Sequence, residues 1–381
     1  MISEPKPGVE PLRVLHAVNR MDLGGIETFL MRVYREIEHD RVQFDFLAHR
    51  PGEGAYDDEI RSLGGQIFNI DFSYNPARFP GYRGDALSFF YDHPEFKVVH
   101  SHLNAFNGIF LSLAARSGVP VKIAHIHAQS SGNALREPLW NLLKKIGRKC
   151  FSKQFACSSR AGRWAYGRDA EFSVIQNAIP LDAFAFNAQD RQEIRQEYGL
   201  GQRTVIGHVG AFRPNKNQRF LLPVLDELRR YDPTACLFFL GEGEEKDNVS
   251  ILASEMGLSK HVVFAGEVSK PERYYSAMDV LAFPSVDEGL GIVAIEAQAS
   301  GLPCVLSTGV PDEAAVTDLA IRLPLDGNRN IKEWTSTINE LSARSLARDV
   351  ITPGLEGFDI KATARQLQEM YLAMADEQRK P

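Results

Sequence analysis

Short apolar runs alternate with amphipathic stretches along nearly the whole chain, and this rhythm breaks once and then restarts. Strand-like runs fall at 12–18, 43–47, 66–70, 97–100, 122–127, 154–156 and 173–175, with helical patterns such as 26–38 and 106–116 between them. Alternating β and α patterns of this kind build a parallel sheet covered by helices on both faces. Residues 176–189, with Asn177, Pro180 and few periodic apolar positions, interrupt the series and read as a linker. The pattern then resumes with runs at 204–209, 235–240, 261–264, 280–284, 303–306 and 320–323. The expectation is an α/β chain of two Rossmann-like, doubly wound domains facing a central cleft, 1–180 and 181–357. A last helix, about 360–375, returns to the first domain, which therefore also takes in 358–381. In such sheets ligands bind at the carboxyl ends of the strands.

The 381 residues suit two domains, each large enough to bury its own core. The net charge of -6 gives no reason to propose nucleic acid as a partner. The charge is uneven: residues 1–185 carry 22 Lys+Arg against 20 Asp+Glu, and the remainder 21 against 29. The first half is thus suited to face something anionic. Four cysteines without CxxC spacing favour a reduced, cytoplasmic setting. The polar, proline-rich start MISEPKPGVEP does not read as a signal peptide. No apolar run approaches the roughly 20 residues of a membrane span, so any membrane contact is expected to be peripheral, on the inner face.

The densest chemistry lies in VLAFPSVDEGLGIVAIE. A strand ends at Pro284, a loop carries Glu288, Gly289, Leu290 and Gly291, and a helix follows from Ile292 with Glu296 about two turns in. Glycines let the backbone approach a ligand closely, and a helix N-terminus offers N–H groups and positive dipole to a phosphate. Eight residues of helix rise about 12 Å, against about 5–5.5 Å between the carboxyls of a retaining glycosidase. The two glutamates therefore suit two separate hydroxyl-bearing parts of one extended ligand. The plain alternative is a loop charge and a solvated helix residue. GLGIVA also matches a dinucleotide fingerprint, but that motif wants an acid at the end of the next strand. Here the strand ends in Val305-Leu306-Ser307-Thr308, so a nicotinamide cofactor is not expected.

The frame EGLGIVAIEAQASGLPCVLS resembles the E-x7-E motif of the family-4 retaining glycosyltransferases of the GT-B fold. The resemblance extends over nearly the whole chain. It is closest to the capsular and exopolysaccharide branch, through GGIETFLMRVYR near the start and GHVGAFRPNKNQRFL in the middle. It implies a hexosyl-type transfer from a nucleotide diphosphate sugar, a UDP-sugar by expectation, to a glycan or lipid-linked acceptor. It implies that Glu288 contacts the donor sugar, that Glu296 holds the ribose, and that the backbone of Gly289, Leu290, Gly291 and Ile292 holds sugar and pyrophosphate. The family's G-R-x4-K pair on the diphosphate is half present. Lys216 matches the lysine, but Ala211 stands at the arginine position, with Arg213 nearby as a candidate substitute. By the same resemblance Gly24 and Gly25 lie over the diphosphate, Val268 near the base, and Gly241 in the family's LVGDGP-like turn. Two other readings stay open, a non-hydrolysing UDP-sugar epimerase of the same fold and an inactive donor-binding scaffold.

Four histidines form two H-x-H pairs, His100/His102 and His125/His127. Residues i and i+2 of a strand share a face, so metal binding has to be weighed. No acidic or cysteine ligand accompanies them at metal-like spacing, and zinc is not expected. The chain also lacks a D-x-D pair, which agrees with cationic side chains and a helix dipole, not a metal, stabilising the leaving diphosphate. The resemblance makes His127 the active-site histidine, contacting the transferring sugar, and puts His102 near the acceptor. No cofactor is expected beyond the co-substrate. Residues 136–153 carry six cations and one acid among Leu139, Trp140, Leu142, Leu143 and Ile146. They read as a basic amphipathic helix for an anionic membrane surface, with ordinary packing on the sheet as the plain alternative.

Overall fold

The computed structural model describes residues 10–72, 78–127, 138, 141–142, 145–146, 148–343, 348 and 353–378. The chain divides into two compact units that meet after Ile179 and again after Asp359. The segment from Ile360 belongs to the first unit.

The first unit is a seven-stranded parallel sheet in the order β3-β2-β1-β4-β5-β6-β7. Its strands are β1 (Leu12–Val18), β2 (Val42–Ala48), β3 (Ile67–Asn69), β4 (Val98–Ser101), β5 (Val121–Ile126), β6 (Lys153–Ala156) and β7 (Ser173–Val174). Central strands read as continuous apolar runs because helices cover both faces, and β2 is buried throughout. One face packs on the helices Gly25–Glu36 and Ile360–Glu377, through Phe29, Val33, Leu367 and Tyr371 against Phe44 and Phe46. The other face is filled by Phe90, Phe110 and Leu111 from the helices Phe79–Asp92 and Asn107–Arg116. Each buried aromatic or leucine contributes about 1.5–3 kcal/mol. The C-terminal helix is joined to the sheet's own exit, since the Ile360 amide donates to the Ile179 carbonyl at 3.0 Å.

The second unit is a six-stranded parallel sheet in the order β10-β9-β8-β11-β12-β13. These strands are β8 (Val205–Val209), β9 (Cys236–Leu240), β10 (Val262–Gly266), β11 (Val280–Phe283), β12 (Cys304–Ser307) and β13 (Ala320–Leu323). Its core gathers Leu222, Leu225, Phe239 and Trp334 around the sheet. At the amino ends of the strands, Asp279 holds Arg191 and Arg195, each at 2.7 Å, and accepts the Val205 amide at 2.8 Å.

Both strand orders reverse direction once, between β1 and β4 and between β8 and β11. The segment expected to be a linker is partly helical. Leu181–Phe184 forms a short helix and Ala188–Glu197 begins inside it. The buried Phe184, packed 5.7 Å from the Tyr275 ring, is what orders it. No described helix is long and apolar enough to cross a membrane.

Candidate functional site

In the second unit, the loops leaving β8 and β11 lie side by side at the point where strand order reverses, which is where open α/β sheets bind ligands. The β8 loop is tied to the β11 loop by three hydrogen bonds. The Val286 amide donates to the Asn215 carbonyl at 2.7 Å, Asn215 Nδ2 to the Asp287 carbonyl at 3.3 Å, and Asn217 Nδ2 to the Pro284 carbonyl at 3.3 Å. This lacing brings Lys216 Nζ to 2.6 Å from Glu288 Oε1, with the two side chains only 19% and 11% exposed. Lys216 also lies over the Phe283 ring, 5.1 Å from its centroid. Beneath it His208 Nδ1 donates to the Ala282 carbonyl at 3.0 Å. Burial, with the Lys216 charge nearby, lowers its pKa to about 4.

The helix Ile292–Ala299 starts at Gly291, whose φ of 84° is left-handed; a Cβ there would meet Val310 Cγ1 at 3.0 Å. The helix begins at Ile292, as expected, so Glu296 is about one turn in, not two, and the stretch from Glu288 to Gly291 is loop. Glu296 is 5% exposed, which removes the reading of it as a solvated helix residue. Tyr275 Oη donates to its Oε2 at 2.7 Å. Tyr275 was invisible to the sequence reading, since nothing in a lone tyrosine 21 positions upstream signals a carboxylate partner. Gly241, which has a φ of 128°, permits the β9 turn to pass the Gly210 carbonyl, where a Cβ would approach to 2.3 Å. Val268 follows β10 and is half-buried.

In the first unit the equivalent position carries different chemistry. Gly24 precedes the helix Gly25–Glu36, and a Cβ on Gly24 would meet Glu27 Oε2 at 2.2 Å, whereas one on Gly25 would meet nothing within 4 Å. Glu27 thus folds back over the glycine turn, and burial raises its carboxyl pKa to about 7.

Next to it, β1, β4 and β5 deliver five histidines to one cluster. His16 Nδ1 lies 3.1 Å from His102 Nε2, and His102 Nδ1 lies 2.9 Å from His127 Nε2. The His125 and His127 rings stand 4.0 Å apart and the His100 and His102 rings 4.2 Å. His100 Nδ1 meets Tyr371 Oη of the C-terminal helix at 2.7 Å. Burial holds every member neutral, lowering His16 and His127 to about 3 and the other three well below the usual histidine value. His125 leans towards the backbone at Ile175 and His127 towards the Asn177 side chain, but neither contact reaches hydrogen-bond geometry. Among the described residues His16 Nε2, His100 Nε2, both nitrogens of His125 and His127 Nδ1 have no hydrogen-bond partner. Such buried orphans cost about 1–3 kcal/mol each. His16 escaped the sequence reading because a single histidine on a strand 84 positions from His100 carries no spacing signal.

Comparison with known proteins then fixes the family. Residues 190–353 match the model described as Glycosyl transferases group 1, and residues 23–183 the model described as Glycosyltransferase Family 4. EpsF of Bacillus subtilis (strain 168), which bears the name of a glycosyltransferase, is 33% identical over 374 residues, covering 94% of this chain and 96% of its own. The chain belongs to the group 1, family 4 glycosyltransferases. CapH of Staphylococcus aureus, a capsular polysaccharide biosynthesis glycosyltransferase by name, is 26% identical over 95% of this chain and 99% of its own. The crystal structure of HepE from Anabaena shares the fold at a TM-score of 0.75 and 17% identity, over 95% of this chain and 100% of that one. The fold is therefore GT-B.

In this glycosyltransferase the structure brings Lys216, Glu288 and the Gly289–Gly291 turn into one loop pair, with Glu296 behind it on the helix. His102 and His127 come together in the first unit. Arg213 precedes the turn Pro214–Lys216 and is exposed, without an ion-pair partner among the described residues. Ala211, at the family's arginine position, is half-buried beside the buried Phe212. Seven of the 18 residues of the basic segment 136–153 lie outside the described residues. Where it is described it is not one helix to Lys153, since Arg148–Cys150 is a 3-10 turn and Lys153 opens β6. A parallel strand needs Lys153 in register with Ile123 of β5, and this ends any helix before it. Leu142 and Ile146 are 60% and 41% exposed.

Proposed function

We propose that this glycosyltransferase moves a sugar from a nucleotide diphosphate sugar to a glycan or lipid-linked acceptor in cell-surface polysaccharide synthesis, with retention at the anomeric carbon. The observation that carries the reading is the Lys216–Glu288 pair at 2.6 Å, held at the sheet's reversal point beside the helix that begins at Ile292. A carboxylate paired with an ammonium can exchange that partner for a ligand's hydroxyls, and the ammonium for its phosphates. The donor's diphosphate takes Lys216, and its sugar hydroxyls take Glu288. The amides of the Gly289–Ile292 turn add hydrogen bonds and the positive end of the helix dipole to the diphosphate.

Glu296, backed by Tyr275, accepts from the ribose hydroxyls. Val268 and Gly241 line the base and sugar ends of the donor, Gly24 and Gly25 lie at the diphosphate, and His127 and His102 serve the transferring sugar and the acceptor. Arg213 supplies the second cation in place of the missing arginine at Ala211. A leaving phosphate oxygen takes the acceptor's proton, so neither carboxylate acts as the base, and the cations and dipole make a metal on the diphosphate unnecessary.

CapH supports the polysaccharide setting through its name. The donor base has support in two directions. HepE was crystallised with UDP and with UDP-glucose, whereas a Mycolicibacterium smegmatis relative, 30% identical over 61% of this chain, is named as GDP-mannose-dependent. UDP is preferred on the resemblance to the exopolysaccharide branch. The exposed Leu142 and Ile146 among cations support contact of 136–153 with anionic lipid at the inner face of the membrane.

The test is release of nucleotide diphosphate from a panel of UDP- and GDP-sugars, with Lys216→Ala as control. Release from one UDP-sugar, lost in the control, is the expected result. Turnover of a GDP-sugar alone overturns the choice of base, and conversion of a UDP-sugar to its epimer without release overturns the reaction. Binding without release from any donor would favour the inactive scaffold.

A further inference from the structure

We infer that the histidine cluster at the carboxyl ends of β4 and β5 is a seat for one borderline divalent transition cation, of the zinc, cobalt or nickel class, with His102, His125 and His127 as its ligands. One nitrogen from each of these three lies within 4.8 Å of the others, and His102 is shared with a second, deeper trio formed with His16 and His100. The outer trio is the better seat because it can be reached from solvent. Orphaned nitrogens mark the whole cluster, at His125 Nδ1 and Nε2 and His127 Nδ1 as at His16 Nε2 and His100 Nε2, among the described residues. His127 is half-buried at the strand end, whereas His16 and His100 are fully enclosed, so an ion has a way in.

The dimensions agree with a tetrahedral ion. Bonds of roughly 2.0–2.1 Å require nitrogens about 3.3–3.4 Å apart. The His102 Nδ1–His127 Nε2 contact of 2.9 Å must open by roughly half an ångström, these two nitrogens giving up their mutual hydrogen bond to the ion, and His125 must close by imidazole rotation. Three ligands from two rigid parallel strands leave a fourth position open to water or an anion, as in open three-histidine sites. With only nitrogen ligands the seat excludes magnesium and calcium, which take oxygen. The sequence reading set metal aside for want of an acid or cysteine in the H-x-H pairs. The folded arrangement needs neither, because three histidines converge. The seat shares His102 and His127 with the groups proposed above for the acceptor and the transferring sugar, so an ion and a sugar contact compete for these two side chains; its occupancy is read without any turnover.

The test uses the full chain, stripped with chelator and titrated with cobalt(II), then zinc(II). One ion per chain is expected, with the intense visible bands of four-coordinate cobalt, displaced by zinc. His127→Ala, at the accessible edge, and His125→Gln should each weaken binding at least tenfold, while His16→Gln should change it less than threefold. Folding of each variant is checked by circular dichroism. The thermal shift caused by zinc in the wild type, absent in His127→Ala, gives a second readout that does not depend on the interior variants. Absence of the cobalt bands, a cluster filled by water alone, or binding unchanged by His127→Ala overturns the proposal. Loss of binding in His16→Gln equal to that in His125→Gln overturns the choice of the outer trio.

Discussion

The two sheets reverse their strand order in the same way and present loops at the same topological place, yet the groups delivered there are opposites. The second unit sets a charged pair, Lys216 and Glu288, at its reversal point, with Glu296 behind. The first unit sets five neutral imidazoles and a carboxyl whose pKa is raised to about 7. The architecture determines where a site is built and leaves its chemistry free. A charged end suits diphosphate and hydroxyls, which exchange partners with an ion pair. A neutral, tightly packed end suits selection by shape and by directional hydrogen bonds.

That contrast can be broken or sharpened experimentally. The largest effect is expected at Glu288. Glu288→Gln removes the charge of the acceptor for the sugar hydroxyls and should lower kcat roughly 100-fold or more, about 3 kcal/mol, with donor affinity changed only a few-fold. Steady-state kinetics beside calorimetric donor binding separate the two. A KM effect without a kcat effect would make Glu288 a simple binding group.

Next comes Glu27. Its carboxyl is raised from 4.5 to about 7 by burial, so the folded state holds the proton more tightly than the unfolded one. The group's contribution to stability is therefore greatest below pH 4.5 and is lost as pH rises through 7, by up to roughly 3 kcal/mol. Glu27→Gln should flatten this fall, measured by denaturant unfolding of the first unit at pH 5 and pH 8. A parallel fall in wild type and variant would show that Glu27 is charged like any exposed acid. Smaller again is Glu296→Ala, expected to weaken UDP binding by roughly 10- to 100-fold, about 1.4–2.8 kcal/mol, with a milder change in kcat. Equal UDP affinity in variant and wild type would detach Glu296 from the nucleotide. The smallest effect is Tyr275→Phe, which removes one hydrogen bond to Glu296 and should cost about 1 kcal/mol of the same affinity.

How much of this was legible in the sequence follows the same division. All thirteen strands were readable because strands buried on both faces are written as short apolar runs, and β1 and β13 match residue for residue. The charged loop pair was readable because glycines, a proline and two glutamates stand within one short stretch. Lys216 is reachable from Gly210 by counting. What failed was whatever depends on strands adjacent in space but distant in sequence. His16 meets His102 across 86 positions, and Tyr371 meets His100 across 271. Counting all eight residues from Glu288 to Glu296 as helix overstates it for a different reason, since the helix begins only at Ile292. The basic segment misled because Lys153 serves β6, and periodicity alone does not show where pairing with β5 begins.

The return of the last helix has a consequence in time. The second unit is complete in one continuous run from Pro180 to Asp359, while the first lacks Ile360, Leu367 and Tyr371 of its core until the helix that follows is made. During synthesis the domain encoded second can therefore finish folding first, and the domain encoded first must wait, its β1–β2 face uncovered. A chain stopped before Ile360 would leave the ribosome with one finished half and one half still open.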